Sequence, residues 1–347
     1  MKAVVIHGAR DLRVDPFEDA LPPGPGEAKV AVANGGICGS DLHYYLHGGF
    51  GAIRVQQPMA LGHEVSGVVT ALGAGVEGLR VGDKVAVNPS RPCGACAYCL
   101  RGQPNQCLDM RFNGSAMRMP HEQGLFRETL TAPVQLLERF DPGADLAHAA
   151  MTEPLAVCLH AVRQAGSLVG QTVFVAGCGP IGCLTVAAAR LAGATRIVAA
   201  DISDTPLAIA RAMGADETIN LATHSDAMEV LKRDKGQVDV GFECSGAAPA
   251  LRGLLDITRA GGRIVLVGMG GDAPLPLQLT VAKELTLKGT FRFHEEFATA
   301  ARVISDGRID LSPLLTGVYE MEEAVAAFDL AADKSRAMKV QIRFSGG

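Results

Sequence analysis

A chain of 347 residues is long enough to form two domains, each with a core of its own. Hydrophobic residues at 48% and charged residues at 20% exclude a disordered chain, while a net charge of −5, 5% aromatics and no basic runs exclude a nucleic-acid groove. No apolar run reaches the roughly 18 residues of a membrane span, and MKAVVIHGARDLRV lacks a signal-peptide core, so the expected setting is the cytosol, with neither membrane nor nucleic acid as partner.

In chain order, the first 150 or so residues are rich in Gly and Pro and carry short β-prone runs, KVAVAN, EVSGVVTAL and DKVAVN, the texture of an irregular all-β unit. Near residue 145 alanine-rich helical periodicity takes over in ADLAHAAMTEPLAVCLHAVRQAG. Apolar strands then alternate with helices: TVFVAG, RIVAAD, the weaker ETIN, VDVGFEC, RIVLVG and LTLKGTF, separated by stretches such as IGCLTVAAARLAGA and PLAIARAMGA. Strands without internal polar alternation, joined through helices, predict an α/β domain with a doubly wound parallel sheet buried on both faces. The chain continues through the helical EEFATAARVISDG and EMEEAVAAFDLAAD to KVQIRF, a strand expected to return to the first domain.

The stretch GGICGSDLHYY, residues 35 to 45, crowds a thiol (Cys38), a hydroxyl (Ser40), a carboxylate (Asp41), an imidazole (His43) and two phenols together, which is a poor way to build a core. LGHEVSG adds His63 and Glu64, and MTEPLAVCLH adds Glu153. A thiolate, an imidazole and a carboxylate from separated segments describe a zinc site with an open position for water or substrate, and ionised Cys38 and Glu153 with neutral His63 would cancel the metal's charge. Spacing alone is weak support, since a lone Cys, His or Glu is more often packed or solvated.

Nine cysteines in a reducing compartment point to metal rather than disulfides, and Cys93, Cys96, Cys99 and Cys107 have two, two and seven residues between them. Four thiolates leave a tetrahedral zinc no open position, so this second site is structural. Further on, Gly177-Cys178-Gly179-Pro180-Ile181-Gly182 follows a strand and opens a helix, the G-x-G-x-x-G arrangement that seats a dinucleotide pyrophosphate on a helix N-terminus. Asp201 ends the next strand nineteen residues after Gly182, where a carboxylate receives the adenosine ribose and repels a 2′-phosphate. With Ser203, Asp204, Thr205 and Pro206 following and no cation nearer than Arg211, NAD is favoured over NADP.

On GGICGSDLHYY, LGHEVSG, the four-cysteine lobe, the EPL around Glu153 and GCGPIG before Asp201, the whole chain resembles the zinc-dependent medium-chain dehydrogenases, the alcohol and polyol dehydrogenase superfamily. Glutamate at 153, where alcohol-dehydrogenase-type chains usually carry cysteine, is similar to the sorbitol and polyol branch. NPSRPCGACAYC, NQCLDMRFNGSAMRMPH and GTFRFHEEFATA narrow the resemblance to members that oxidise L-idonate, a sugar acid.

The resemblance implies a GroES-like irregular β-barrel catalytic domain, residues 1–152 completed by 293–347, and a Rossmann domain, residues 153–292. It implies two zinc ions per chain, a catalytic one held by Cys38, His63 and Glu153 and a structural one in the lobe. Glu64 would be a fourth, exchangeable ligand or a group behind the ligands. Ser40 would touch the substrate hydroxyl, His43 would pass its proton outward through the cofactor ribose, and Tyr44, Arg292 and Phe293 would meet substrate. Val267, Gly268, Met269, Thr290, Phe291 and Arg292 would border the cofactor. A substrate carboxylate needs a cation, for which Arg292 is the favoured candidate over Arg111, Arg118 and His121. Pro206 stands where polyol dehydrogenases often place an arginine, which leaves NADP use open. Relatives form dimers and tetramers, and a homotetramer is expected here; neutral polyols are the alternative substrates, and a zinc-free binding or structural protein is the alternative class.

Overall fold

The computed structural model describes residues 1–344. The chain divides into two compact units, one made of Met1–Glu153, Phe297–Gly307 and the chain from Leu315 onward, the other of Pro154–Glu296 and Arg308–Leu314.

The first unit is built on a seven-stranded sheet. Its order runs Leu137–Arg139, Lys84–Val87, Glu64–Leu72, Glu27–Gly36, Lys339–Arg343, Leu315–Glu320, with Thr129–Pro133 also paired to Glu27–Gly36. The long central strand Glu27–Gly36 is where chain ends meet: Gln341, Ile342 and Arg343 pair antiparallel with Gly36, Gly35 and Asn34. KVQIRF therefore does return to the first unit. Val30, Val32, Val65, Val85, Leu130, Val340 and Ile342 point from these strands into one core with Phe126, Phe328 and Phe344.

The second unit is a six-stranded parallel sheet in the order Glu217–Asn220, Arg196–Asp201, Thr172–Ala176, Val238–Glu243, Thr258–Leu266, Thr286–Gly289. Numbered within the domain this is 3-2-1-4-5-6, the Rossmann order, with its switch point beside Thr172–Ala176. The expected strands all form, because apolar runs such as TVFVA are buried on both faces.

The helical periodicity of ADLAHAAMTEPLAVCLHAVRQAG forms two helices, Leu146–Ala149 and Thr152–Ala165. Pro154 has no N–H to bond back one turn, and the Thr152 hydroxyl instead donates to the Ala149 carbonyl at 2.7 Å. The break sets Glu153 in the first turn of the second helix. Among the described residues no helix is long and apolar enough to cross a membrane.

Candidate active site

The metal-binding candidates of the first unit are assembled by two short segments. Cys38 precedes the helix Gly39–His47, and His63 precedes the strand Glu64–Leu72, which Glu64 opens. The ligand atoms of Cys38, His63 and Glu64 lie within 4.8 Å of one another. Gly62 makes the approach possible: its φ is +90°, and a Cβ there would overlap the Phe126 ring. The ring of Phe112 packs 5.4 Å from that of His63.

Asp41 ties the two segments together. Fully buried, it accepts from the Cys38 amide at 3.0 Å through one oxygen and from the Gly62 amide at 3.2 Å through the other. Its Oδ1 lies 3.7 Å from His63 Nδ1, which is buried with no hydrogen-bond partner among the described residues. Burial pulls the His63 pKa down, but the charges of Asp41, Cys38 and Glu153 outweigh it and leave the pKa well above 6.5. The gathered atoms of Cys38, His63 and Glu64 offer a divalent metal a thiol, an imidazole and a carboxylate, while Glu153 is seen here only through its charge on His63.

Glu64 has a second partner. Lys339, from the C-terminal strand, donates to both of its oxygens at 2.9 and 2.8 Å and to the Ile37 carbonyl at 3.2 Å. Both side chains are buried. Burial disfavours the ammonium, yet Glu64, Cys38 and Glu153 keep the Lys339 pKa above its ordinary value. Neither Asp41 nor Lys339 figured among the expected site residues. Asp41 carried a signal, lying three residues after Cys38 at the helix start where a carboxylate caps; Lys339 carried none.

Of the residues expected to meet substrate, Ser40 is partly exposed in the first turn of Gly39–His47. His43 is exposed on the same helix, its ring 4.7 Å from that of Phe50, and partial burial followed by the charges of His47 and Lys334 lowers its pKa. Tyr44 is in the core, and its hydroxyl accepts from the Ala116 amide at 3.1 Å. In the second unit Arg292 takes a left-handed φ of 54° and lays its guanidinium 4.9 Å over the Phe291 ring, while Phe293 is buried. The other candidates are engaged: Arg111 with Glu122, Arg118 with Asp109, and His121 between the Gln56 amide and the Arg118 carbonyl.

The four lobe cysteines also gather, their sulfurs within 4.8 Å of one another. Backbone amides of Cys93 and Asp109 donate to Cys107 Sγ at 3.2 and 3.3 Å, and that of Cys96 to Cys93 Sγ at 3.3 Å. Amide donation, led by Cys99 and Leu108, lowers the Cys96 thiol to about 6. Cys99 moves the other way, raised to about 12 by burial and then by its bonds to the Cys96 and Cys107 thiols, so it is the gathering of four sulfurs that fits zinc. In the second unit desolvation likewise raises Cys183 to about 12 and pushes Cys178 and Cys244 well up, but among the described residues those thiols are not gathered into a cluster of four.

The glycine loop of the second unit fits a dinucleotide. Gly177 has φ +91°, and a Cβ on Gly182 would strike the Gly177 carbonyl, so the loop folds tightly onto the helix Pro180–Leu191. Asp201 accepts from the Cys178 amide at 2.7 Å through Oδ2, and from the Ile202 and Ser203 amides at 2.7 and 3.2 Å through Oδ1. It thus fastens the glycine loop and retains acceptor capacity on Oδ2. Arg211 donates to Thr218 at 2.9 Å. At the end of Val238–Glu243, Glu243 receives the Ser245 and Gly246 amides through its carboxylate and the Val267 and Gly268 amides through its carbonyl. It organises the loop containing Val267, Gly268 and Met269, and sequence reasoning missed it.

Residues 24–141 match the alcohol dehydrogenase GroES-like domain and residues 180–306 the zinc-binding dehydrogenase domain. The chain belongs to the zinc-binding medium-chain dehydrogenases, a family of oxidoreductases. It is 44% identical over 316 residues to L-idonate 5-dehydrogenase (NAD(P)+) of Escherichia coli, covering 91% of each chain. The crystal structure of L-idonate 5-dehydrogenase from that organism superposes with a TM-score of 0.94 at 42% identity, over 99% of this chain and 98% of that one. D-xylulose reductase A of Aspergillus niger is 36% identical over 90% of this chain and 89% of its own.

Proposed function

We propose that this protein oxidises a secondary alcohol of a sugar acid with NAD(P), converting L-idonate to 5-keto-D-gluconate reversibly. The observation that carries the reaction class is the gathering of the Cys38, His63 and Glu64 ligand atoms within 4.8 Å of one another, with Glu153 adding its charge. The likeness to L-idonate 5-dehydrogenase over nine tenths of the chain carries the substrate.

When bound, zinc supplies Lewis acidity and the nicotinamide accepts a hydride. Cys38, His63 and Glu153 would hold the catalytic zinc, and Cys93, Cys96, Cys99 and Cys107 the structural one. Glu64, gripped by Lys339, would join the ligands of the metal only by giving up that partner. Ser40 orients the substrate hydroxyl and accepts its proton, and His43 carries the proton outward. Its lowered pKa keeps the imidazole neutral, ready to receive.

Tyr44 backs the substrate pocket with its ring, since its hydroxyl is held by Ala116. Arg292 binds the substrate carboxylate, and Phe293 meets the substrate beside it. Gly177, Gly179, Pro180, Ile181 and Gly182 seat the pyrophosphate, Asp201 the ribose, and Val267, Gly268, Met269, Thr290, Phe291 and Arg292 the nicotinamide end. NAD is preferred, because Asp201 repels a 2′-phosphate, and NADP is used more weakly.

The cysteines are unbridged among the described residues, which suits a cytoplasmic protein. The edge strand Thr286–Gly289 and the exposed Leu277 and Val281 suit a homo-oligomer, a tetramer in this reading. The second reading, oxidation of sorbitol or xylitol, is favoured by the D-xylulose reductase relative. Incubating zinc-replete protein with L-idonate, sorbitol, xylitol or ethanol, each with NAD and with NADP, decides by reduced-nicotinamide absorbance. Preference for a neutral polyol would replace the substrate, and no turnover with any of them would leave a binding protein.

A further inference from the structure

The first unit contains a cavity of about 420 Å³ that none of Cys38, His63, Glu64 and Glu153 lines. Four arginines face it, Arg91, Arg111, Arg118 and Arg127, with Glu122 the one carboxylate in its wall. Glu122 is shared, taking Arg91 at 2.5 Å on one oxygen and Arg111 at 3.0 Å on the other. Arg118 turns to Asp109. His121, which also lines the cavity, brings no charge: its Nε2 accepts the Gln56 amide at 2.9 Å, so the proton is on Nδ1, facing the Arg118 carbonyl at 2.7 Å.

Arg127 has no such arrangement. Its Nε, like that of Arg91, is buried with no acceptor among the described residues. Burial and the neighbouring Arg91 charge push its pKa down to about 10. A guanidinium whose Nε is buried, with no counter-ion among the described residues, is among the less favourable things a fold can hold. The wall as a whole carries an excess of positive charge that the chain's own carboxylates do not balance.

The cavity is separate from the metal-binding cluster. In the strand Arg111–Phe112 neighbouring side chains point to opposite faces, and Phe112 is the one against His63 while Arg111 faces the cavity. We propose that this cavity is a second binding site, for a small oxyanion, in which Arg127 and Arg91 grip a carboxylate or phosphate group. Guanidinium forks match both groups in bidentate geometry, and the volume suits a small metabolite. The site is independent of the reaction proposed above.

The test is thermal unfolding and titration calorimetry of the zinc-loaded protein with inorganic phosphate and, separately, acetate, against sodium chloride at equal ionic strength. Saturable stabilisation by either anion is expected, and which one acts identifies phosphate or carboxylate as the ligand group. Arg127→Met should weaken that binding at least about tenfold, with KM for the alcohol substrate unchanged. Arg111→Gln, on a side chain 57% exposed, tests the same wall if Arg127→Met does not fold, and should also weaken binding. The proposal is overturned if neither anion acts beyond the chloride control. It is equally overturned if the folded variants bind as the parent does, or if Arg127→Met raises KM for the alcohol substrate in step with the loss of anion binding.

Discussion

Lys339 and Glu64, 275 residues apart, form a buried ion pair in which one ammonium meets both oxygens of one carboxylate. Glu64 also lies within 4.8 Å of Cys38 and His63. The pair thus sets the charge behind the metal-binding cluster from the far end of the chain. Lys339→Met should lower the unfolding free energy by about 3–5 kcal/mol, since it leaves Glu64 buried and unpaired. Adding Glu64→Gln should recover most of that loss. Urea unfolding of the parent and three variants measures it, and additive losses would mean the two residues do not act as a pair.

The two clusters predict metal content directly. Elemental analysis should find two zinc ions per chain, one for each cluster. Cys96→Ser should lose the lobe ion and keep turnover until the lobe unfolds. Cys38→Ser should lose the other ion and turnover together. A single ion in the parent would leave one cluster as free thiols.

Arg292 offers a substrate test. If its guanidinium binds a carboxylate, Arg292→Ala should reduce kcat/KM for L-idonate at least about tenfold more than for xylitol. Equal losses on both would assign it to the pocket wall or the cofactor alone.

A pH effect follows from Glu296 in the second unit. Burial raises its pKa, but hydrogen bonds from His160 at 3.0 Å and from the His294 amide at 2.8 Å prevail and bring it from 4.5 to about 2. A depressed carboxylate stabilises the fold fully above 4.5 and loses that contribution as pH falls toward 2. Glu296→Gln should therefore be less stable than the parent at neutral pH, with the gap closing between pH 4.5 and 2. A constant gap across that range would remove the ionic contribution.

The parts legible in sequence were those whose chemistry is local. TVFVAG followed by a glycine loop announces itself because strand, turn and helix start are contiguous, and the four lobe cysteines lie within one short loop. Lys339 was not legible: at the head of KVQIR a lysine looks like a solvated strand end, and only its pairing near Gly36 carries it to Glu64. Asp41 and Glu243 were hidden differently. Each uses its carboxylate on backbone amides of loops, and an acidic residue at a helix start or strand end is common without that duty.

The pairing of Gln341 with Gly36 also has a consequence for biosynthesis. At about 5–20 residues per second the ribosome needs roughly 15–60 s to travel from one to the other. The second unit can fold during that interval, but in the first the Asn34–Gly36 end of the central strand waits for its C-terminal partner and Glu64 lacks its counter-charge. Premature termination upstream of Lys339 would leave those early residues exposed to proteolysis.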